Sequence, residues 1–199
     1  ASEGARVLVV TKRNAFDGST GHAQGGIAAA MATGDSVERH LADTVATGQG
    51  LSDPEVVRAV VADGVQAVQE VIHWGLRFDR TGRHLAFGLE GGHSRARILH
   101  AGGDATGKAL EETLLRRARA SRRIVFREHT FTLDLLQDEE GAVRGVLAAS
   151  PSGVLQTLCA GAVILATGGA GQLYRETTNP DVVTGDGIAM SLRAGAEVS

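Results

Sequence analysis

Residues 7–10 read VLVV, four consecutive apolar residues with no polar one between them. A strand with one wet face alternates apolar and polar side chains, whereas an unbroken run suits a strand covered on both faces, as in a parallel sheet. A second such run, VILA at 163–166, ends in TGG and also reads as a buried strand. Parallel strands cannot be joined by tight hairpins, so helices must lie between them in sequence. ASEGA, just before the first run, reads as a helix tail stopped by Gly4. A parallel sheet that opens on a helix end lacks its first strand and most of its first helix. The chain is therefore expected to begin inside a larger fold.

Ile27–Met31 is expected to begin a helical stretch, and 35–47 places Val37, Leu41 and Val45 at helical spacing between charged residues. SDPE at 52–55 predicts a sharp helix start, with Pro54 in the first turn and Glu55 near the positive end of the dipole. The valines from Val56 to Val71 lower helix propensity, so burial of their face must carry that helix to its stop at Gly75. Thr106 is expected to cap a further helix over about 108–120. From Ile124 the pattern changes to strands, IVFREHTFTLDLL, VRGVLAA and VLQTLCAG, separated by the turns DEEG and SPSG. These make an antiparallel meander over about 123–160. A polar loop, TTNPDVVTGDG, and a short helix, IAMSLRAGAEV, follow the second apolar run. The expected fold class is α/β: an incomplete Rossmann-like nucleotide-binding domain with a parallel sheet and an inserted β-meander.

The residues 16–30, FDGSTGHAQGGIAAA, follow the first strand and carry almost no side chain. Such a stretch is a flexible linker or a loop on which a large flat ligand lies against backbone. The chain holds 27 Gly but only 3 Pro, which favours tight strand–helix turns and close ligand approaches over disorder. Thr11-Lys12 stands where a ribose- or phosphate-contacting residue is expected, with a solvated strand-end Lys as the alternative. The G-x-G-x-x-G fingerprint of dinucleotide folds does not occur beside these runs, and is expected to precede Ala1.

Other classes of function are disfavoured. A net charge of −3 offers no general field for nucleic acid, and the arginines within 116–123 read as a charged helix end. The single cysteine, Cys159, permits no internal disulfide and suits a reducing, cytoplasmic compartment. No apolar run is long enough to span a bilayer, and no metal-ligand spacing or Ser-His-Asp arrangement is visible.

STGHAQGGIAAA resembles the loop that wraps the flavin ring in the succinate dehydrogenase/fumarate reductase/L-aspartate oxidase family. EGGHSRARILHAGGDATG at 90–107 resembles that family's substrate-side segment, and ATGGAGQLYRETTNPDVVTGDGIAM at 166–190 its second flavin-contacting stretch. Three blocks in the family's order span nearly the whole chain, far more specific than one glycine-rich loop. The resemblance implies an FAD-binding domain over 1–199, with the family's capping domain expected to follow Ser199. It implies FAD contacts at Lys12, Ser19, Thr20, Gly21, His22, Ala23, Gln24, Gly25, Gly26, the backbone of Phe131 and Thr132, and Asp186. Gly25 and Gly26 would let backbone approach the isoalloxazine, and N–H groups of a following helix start would serve its polar edge.

Covalent members of the family attach flavin through a histidine five residues before the Gln of AQGG; here Ser19 stands there, which implies non-covalent FAD. His22 is out of register for that bond and reads as a loop histidine. Ala105, in Asp104-Ala105-Thr106-Gly107-Lys108, replaces the Arg of the dehydrogenase branch and resembles the aspartate-oxidising one. By the same resemblance Glu90, in E-G-G-H-S, orients the substrate, its carboxylate pairing with the α-ammonium of an amino dicarboxylate. Leu89 departs from the basic residue that many members carry before this Glu. His93, Ser94, Arg97 and His100 read as groups that order the loop. The implied reaction is oxidation of L-aspartate to iminoaspartate by hydride transfer to flavin, with O2 or fumarate as acceptor. That reaction opens a route to quinolinate and NAD, with quinolinate synthase as a possible partner. A soluble succinate dehydrogenase or fumarate reductase flavoprotein is the enzymatic alternative, and a non-catalytic truncated domain the other. The 199 residues alone are expected not to turn over aspartate.

Overall fold

The computed structural model describes residues 4–197, so the helix tail expected over residues 1–3 lies outside the described residues. In chain order the elements are β1 (Val7–Val10), β2 (Ile27–Ala28), α1 (Val37–Thr47), α2 (Pro54–His73), β3 (Arg80–Thr81), β4 (His84–Leu85) and β5 (Ile98–Leu99). After them come α3 (Thr106–Arg119), β6 (Ile124–Arg127), β7 (Phe131–Gln137), β8 (Val143–Ala149), β9 (Leu155–Cys159) and α4 (Asp186–Arg193). The chain divides into two compact units, one holding the residues up to Ser19 and from Ala118 on, the other Thr20–Arg117.

In the first unit β1 and β6 pair in parallel, Val7 opposite Ile124 and Val10 opposite Arg127. Parallel pairing of the first apolar run is as expected, but its full burial is not: Leu8 is 42% exposed, and Val125 on the paired strand 57%. The run from Ile124 resolves into two strands, broken at His129, whose φ of 53° turns the chain. The meander proper is β7–β8–β9, antiparallel throughout. Helix α4 packs on β7. Arg193 fastens it, donating 2.9 Å to the Asp134 carboxylate and 2.8 Å to the Leu133 carbonyl.

The expected buried strand at 163–166 does not form. These residues take no regular structure, and Ile164 is 90% exposed. No strand among the described residues pairs with them. With no ladder partner beside them, these residues leave their backbone groups to solvent.

In the second unit α1 and α2 pack together. Ser36 caps α1 by accepting from the Arg39 N–H, and Asp53 caps α2 by accepting from the N–H groups of Glu55 and Val56. Each such cap contributes roughly 1 kcal/mol. Val68 from α2 joins Ala29, Leu76, Phe78, Leu99 and Ala101 in the buried core, with Ile27, Val71, Ile72 and Leu110 around it. The helix ends at Trp74, and Gly75 follows with φ 102°. The helix expected from Ile27 is instead strand β2, antiparallel to β5, with Ile27 opposite Leu99 and Ala28 opposite Ile98. Helix α3 starts at Thr106, whose hydroxyl accepts from the Ala101 N–H and so ties down the preceding turn instead of capping the helix. No helix among the described residues is long and apolar enough to cross a membrane.

Candidate functional site

Lys12 follows β1 and sits beside Asp186, the first residue of α4, with which it forms an ion pair. The Lys12 ammonium also donates to the Thr184 hydroxyl, and that hydroxyl donates 2.9 Å to the Asp186 carboxylate. The pair is three-quarters covered, with side-chain exposures of 25% and 26%. Lys12 Nζ lies 5.8 Å from the centroid of the Phe131 ring, within range of a cation–π attraction. The first unit thus brings together Lys12, Phe131 and Asp186, three positions far apart in sequence. Thr132 lies next to this set with its backbone in the ladder opposite Ala148. Thr184 completes the set and was missed by sequence reasoning, although it precedes Asp186 in the quoted T-G-D-G.

The glycines of T-G-D-G serve the protein itself. Gly185 takes φ 77°, a left-handed conformation that admits the chain to α4. A Cβ on Gly187 would overlap the Thr167 side chain. Asp186 meanwhile gains from the positive end of the short helix it begins. Ser19 ends the first unit's N-terminal segment and is exposed.

In the second unit Thr20–His22 make a single 3-10 turn, closed by the Ala23 N–H donating 3.1 Å to the Thr20 carbonyl. The start of α3 holds this loop: the Gly107 N–H donates 3.0 Å to the Ala23 carbonyl. A Cβ on Gly107 would overlap the Thr20 carbonyl and stand 2.7 Å from Ala23. Thr20, His22, Ala23, Gln24 and Gly25 are all exposed, and Gly21 is half-buried.

Gly25 and Gly26 differ. A Cβ on Gly25 would meet nothing within 4 Å, so its face is open to a flat ligand. A Cβ on Gly26 would overlap Ile98 and stand 2.7 Å from the Leu99 carbonyl and 2.9 Å from His100 Nε2. Gly26 is therefore needed by strand β5. No helix start follows the loop either, so the expected N–H groups there are replaced by the first pairs of β2 with β5.

That pairing joins the loop to the substrate-side segment. Extending the register by one residue sets Gly26 opposite His100, and His100 Nε2 lies 3.1 Å from Glu90 Oε1. The Glu90 side chain is 50% and the His100 side chain 30% exposed, so a carboxylate with one fixed oxygen faces outward.

The same segment carries a buried charge cluster. Arg97, with no exposed surface, donates twice to Asp35 at 2.8 Å and once to Asp43 at 2.6 Å. Arg97 also donates 3.1 Å to His93 Nδ1, and both the Ser94 N–H and hydroxyl donate 2.9 Å to Asp43. The Ser94 N–H, with Arg97, draws the Asp43 carboxyl down to about 2. Hydrogen bonds from Arg97 hold Asp35 below the usual carboxylate range, and those to Asp35 hold Arg97 above its own. Burial, with the Arg97 charge, pushes His40 down, and its Nδ1 has no hydrogen-bond partner. His93, Ser94 and Arg97 thus clamp the loop that carries Glu90.

Each unit taken by itself has residues that suit part of FAD: in one the open Gly25 backbone can take a flat ring, and in the other Lys12, Thr184 and Asp186 offer a cation, a hydroxyl and an acceptor for polar groups. A family model described as FAD binding domain matches residues 1–199. An L-aspartate oxidase of Streptomyces coelicolor is 49% identical over 100% of this chain and 35% of its own length. One of Synechocystis is 43% identical over 97% of this chain and, again, 35% of its own length. A solved quinol-fumarate reductase with menaquinol molecules matches at a TM-score of 0.92 and 34% identity, over 98% of this chain and 34% of that one. The chain thus spans about a third of the length of these three proteins.

Proposed function

The chain belongs to the FAD binding domain family, among the succinate dehydrogenase/fumarate reductase flavoproteins, and from that premise we propose that it is the cofactor-binding part of an enzyme oxidising L-aspartate to iminoaspartate. O2 or fumarate takes the electrons, and the product feeds quinolinate and NAD formation, with quinolinate synthase the natural partner for so labile an imine. The single cysteine and the lack of a strongly charged balance suit a cytoplasmic protein.

The observation that carries this reading is Glu90, half exposed and hydrogen-bonded to His100 at the end of the strand that pairs with the loop at Gly26. One carboxylate oxygen is occupied, which leaves the other for the α-ammonium of an amino dicarboxylate. Succinate has no such group, so the same carboxylate repels it and sets the preference. FAD, when bound, supplies the two-electron acceptor. In the second unit Thr20–Gly26 offer backbone to its ring; in the first, Lys12, Ser19, Thr184, Asp186 and the Phe131–Thr132 backbone offer polar partners. Ser19 in place of a histidine makes the attachment non-covalent. The domain assignment over 1–199, with the meander as an insertion, belongs to this same reading.

A succinate dehydrogenase or fumarate reductase activity is the second reading, favoured by the likeness to quinol-fumarate reductase at a TM-score of 0.92. Assaying the intact protein with L-aspartate and succinate side by side separates the two. Peroxide and iminoaspartate from L-aspartate alone are expected; turnover of succinate and not L-aspartate would support the second reading.

A further inference from the structure

We propose that His100 is a positioning residue that sets the preference for amino dicarboxylates, by holding Glu90 with one carboxylate oxygen engaged and the other free. The inference rests on the assignment of Glu90 to substrate made above and adds a second side chain to it. The geometry is specific. His100 Nε2 lies 3.1 Å from Glu90 Oε1. A carboxylate oxygen only accepts, so Nε2 carries the proton in this bond, and the ring tautomer is set by its partner.

The ring lies close to two glycines. A Cβ at Gly26 would come within 2.9 Å of Nε2, and a Cβ at Gly88 would stand 3.4 Å from Cε1 and 3.7 Å from Nδ1. Two glycines on separate segments thus leave room for the imidazole beside Glu90. The segments are tied together, because Gly88 bridges to Ile98 and β2 pairs with β5. The His100 carbonyl is held as well, accepting 2.8 Å from the Asp79 N–H, while the Asp79 carboxylate takes the N–H groups of Gly102 and Gly103. The backbone is held there, and the ring nitrogen is within hydrogen-bond reach of Glu90. Without it, Glu90 is an exposed loop carboxylate with all its rotamers open, and ordering it on binding costs affinity.

The test compares three variants of the intact protein, loaded with FAD, by the KM for L-aspartate in steady-state turnover and by the inhibition constant of succinate against it. Leu in His100→Leu removes the donor, and in His100→Gln the amide nitrogen reaches the same place. Loss of one charge-assisted hydrogen bond predicts that His100→Leu weakens L-aspartate about tenfold and leaves succinate unchanged. His100→Gln should recover most of that loss, and Glu90→Gln should abolish the preference outright. Equal weakening of both ligands in His100→Leu, or no rescue by Gln, would mean that the ring only props the fold and would overturn the proposal. A collapsed preference in Glu90→Gln with none in His100→Leu overturns the role of His100 alone. An unchanged preference in Glu90→Gln overturns the Glu90 assignment, and the proposal with it.

Discussion

Arg97 has no contact with solvent, and its charge is met by Asp35 on one edge and Asp43 on the other. Removing one member of a buried ion pair leaves the rest uncompensated, so Arg97→Met is expected to destabilise by about 3–5 kcal/mol, read as a lowered denaturation midpoint. The same cluster gives an acid-side stability profile. His40 is held below its ordinary 6.5, so below that value the unfolded chain takes up a proton that the folded one resists. Stability therefore begins to fall as pH drops through 6.5. Asp43 adds a second loss between its ordinary 3.8 and about 2, where the unfolded carboxyl protonates first. Apparent Tm measured against pH should show both steps, and His40→Phe should flatten the upper one while leaving the lower. An upper step unchanged in that variant would remove His40 from the account.

Among the elements, β2 is where packing overrode local preference. IAAAM has the composition of a helix start, yet Ile27 and Ala28 pair with residues about seventy positions later. Nothing within that window announces a partner so distant, so the strand was not legible. Capped helices were: SDPE at α2 and the 37–41–45 spacing at α1 are local signals, and the helices formed where they point. The meander was also legible, because its turns carry their own chemistry. The run at 163–166 failed for the opposite reason to β2, since it has strand composition but no strand beside it among the described residues. At the candidate site Lys12 stood out only as a strand-end residue and Asp186 only within a quoted block; that the two form an ion pair was not legible, because they lie 174 positions apart. Nor was the division of labour between the two glycines, because it depends on what lies across the sheet. Gly25→Ala should therefore keep the thermal stability of the apoprotein and lower FAD occupancy. Gly26→Ala, which drives a Cβ toward the Leu99 carbonyl, should lose about 1–3 kcal/mol of stability before any cofactor is added. Equal behaviour of the two variants would contradict the assignment of separate roles.

On the scale of the whole molecule, the fold is that of an FAD binding domain, and the chain covers 35% of the length of its Streptomyces relative. Of the candidate cofactor residues, Lys12, Ser19, Phe131, Thr132 and Asp186 belong to one compact unit and Thr20–Gly26 to the other. Ser19 predicts that acid precipitation of the intact holoprotein leaves a colourless pellet and a yellow supernatant. Flavin retained in the pellet would mean a covalent link from another residue. Whether the intact protein oxidises an amino dicarboxylate, as proposed, is read by anaerobic mixing of the holoprotein with substrate. L-aspartate should bleach the flavin absorbance and succinate should leave it yellow; bleaching by succinate and not by L-aspartate would contradict the account.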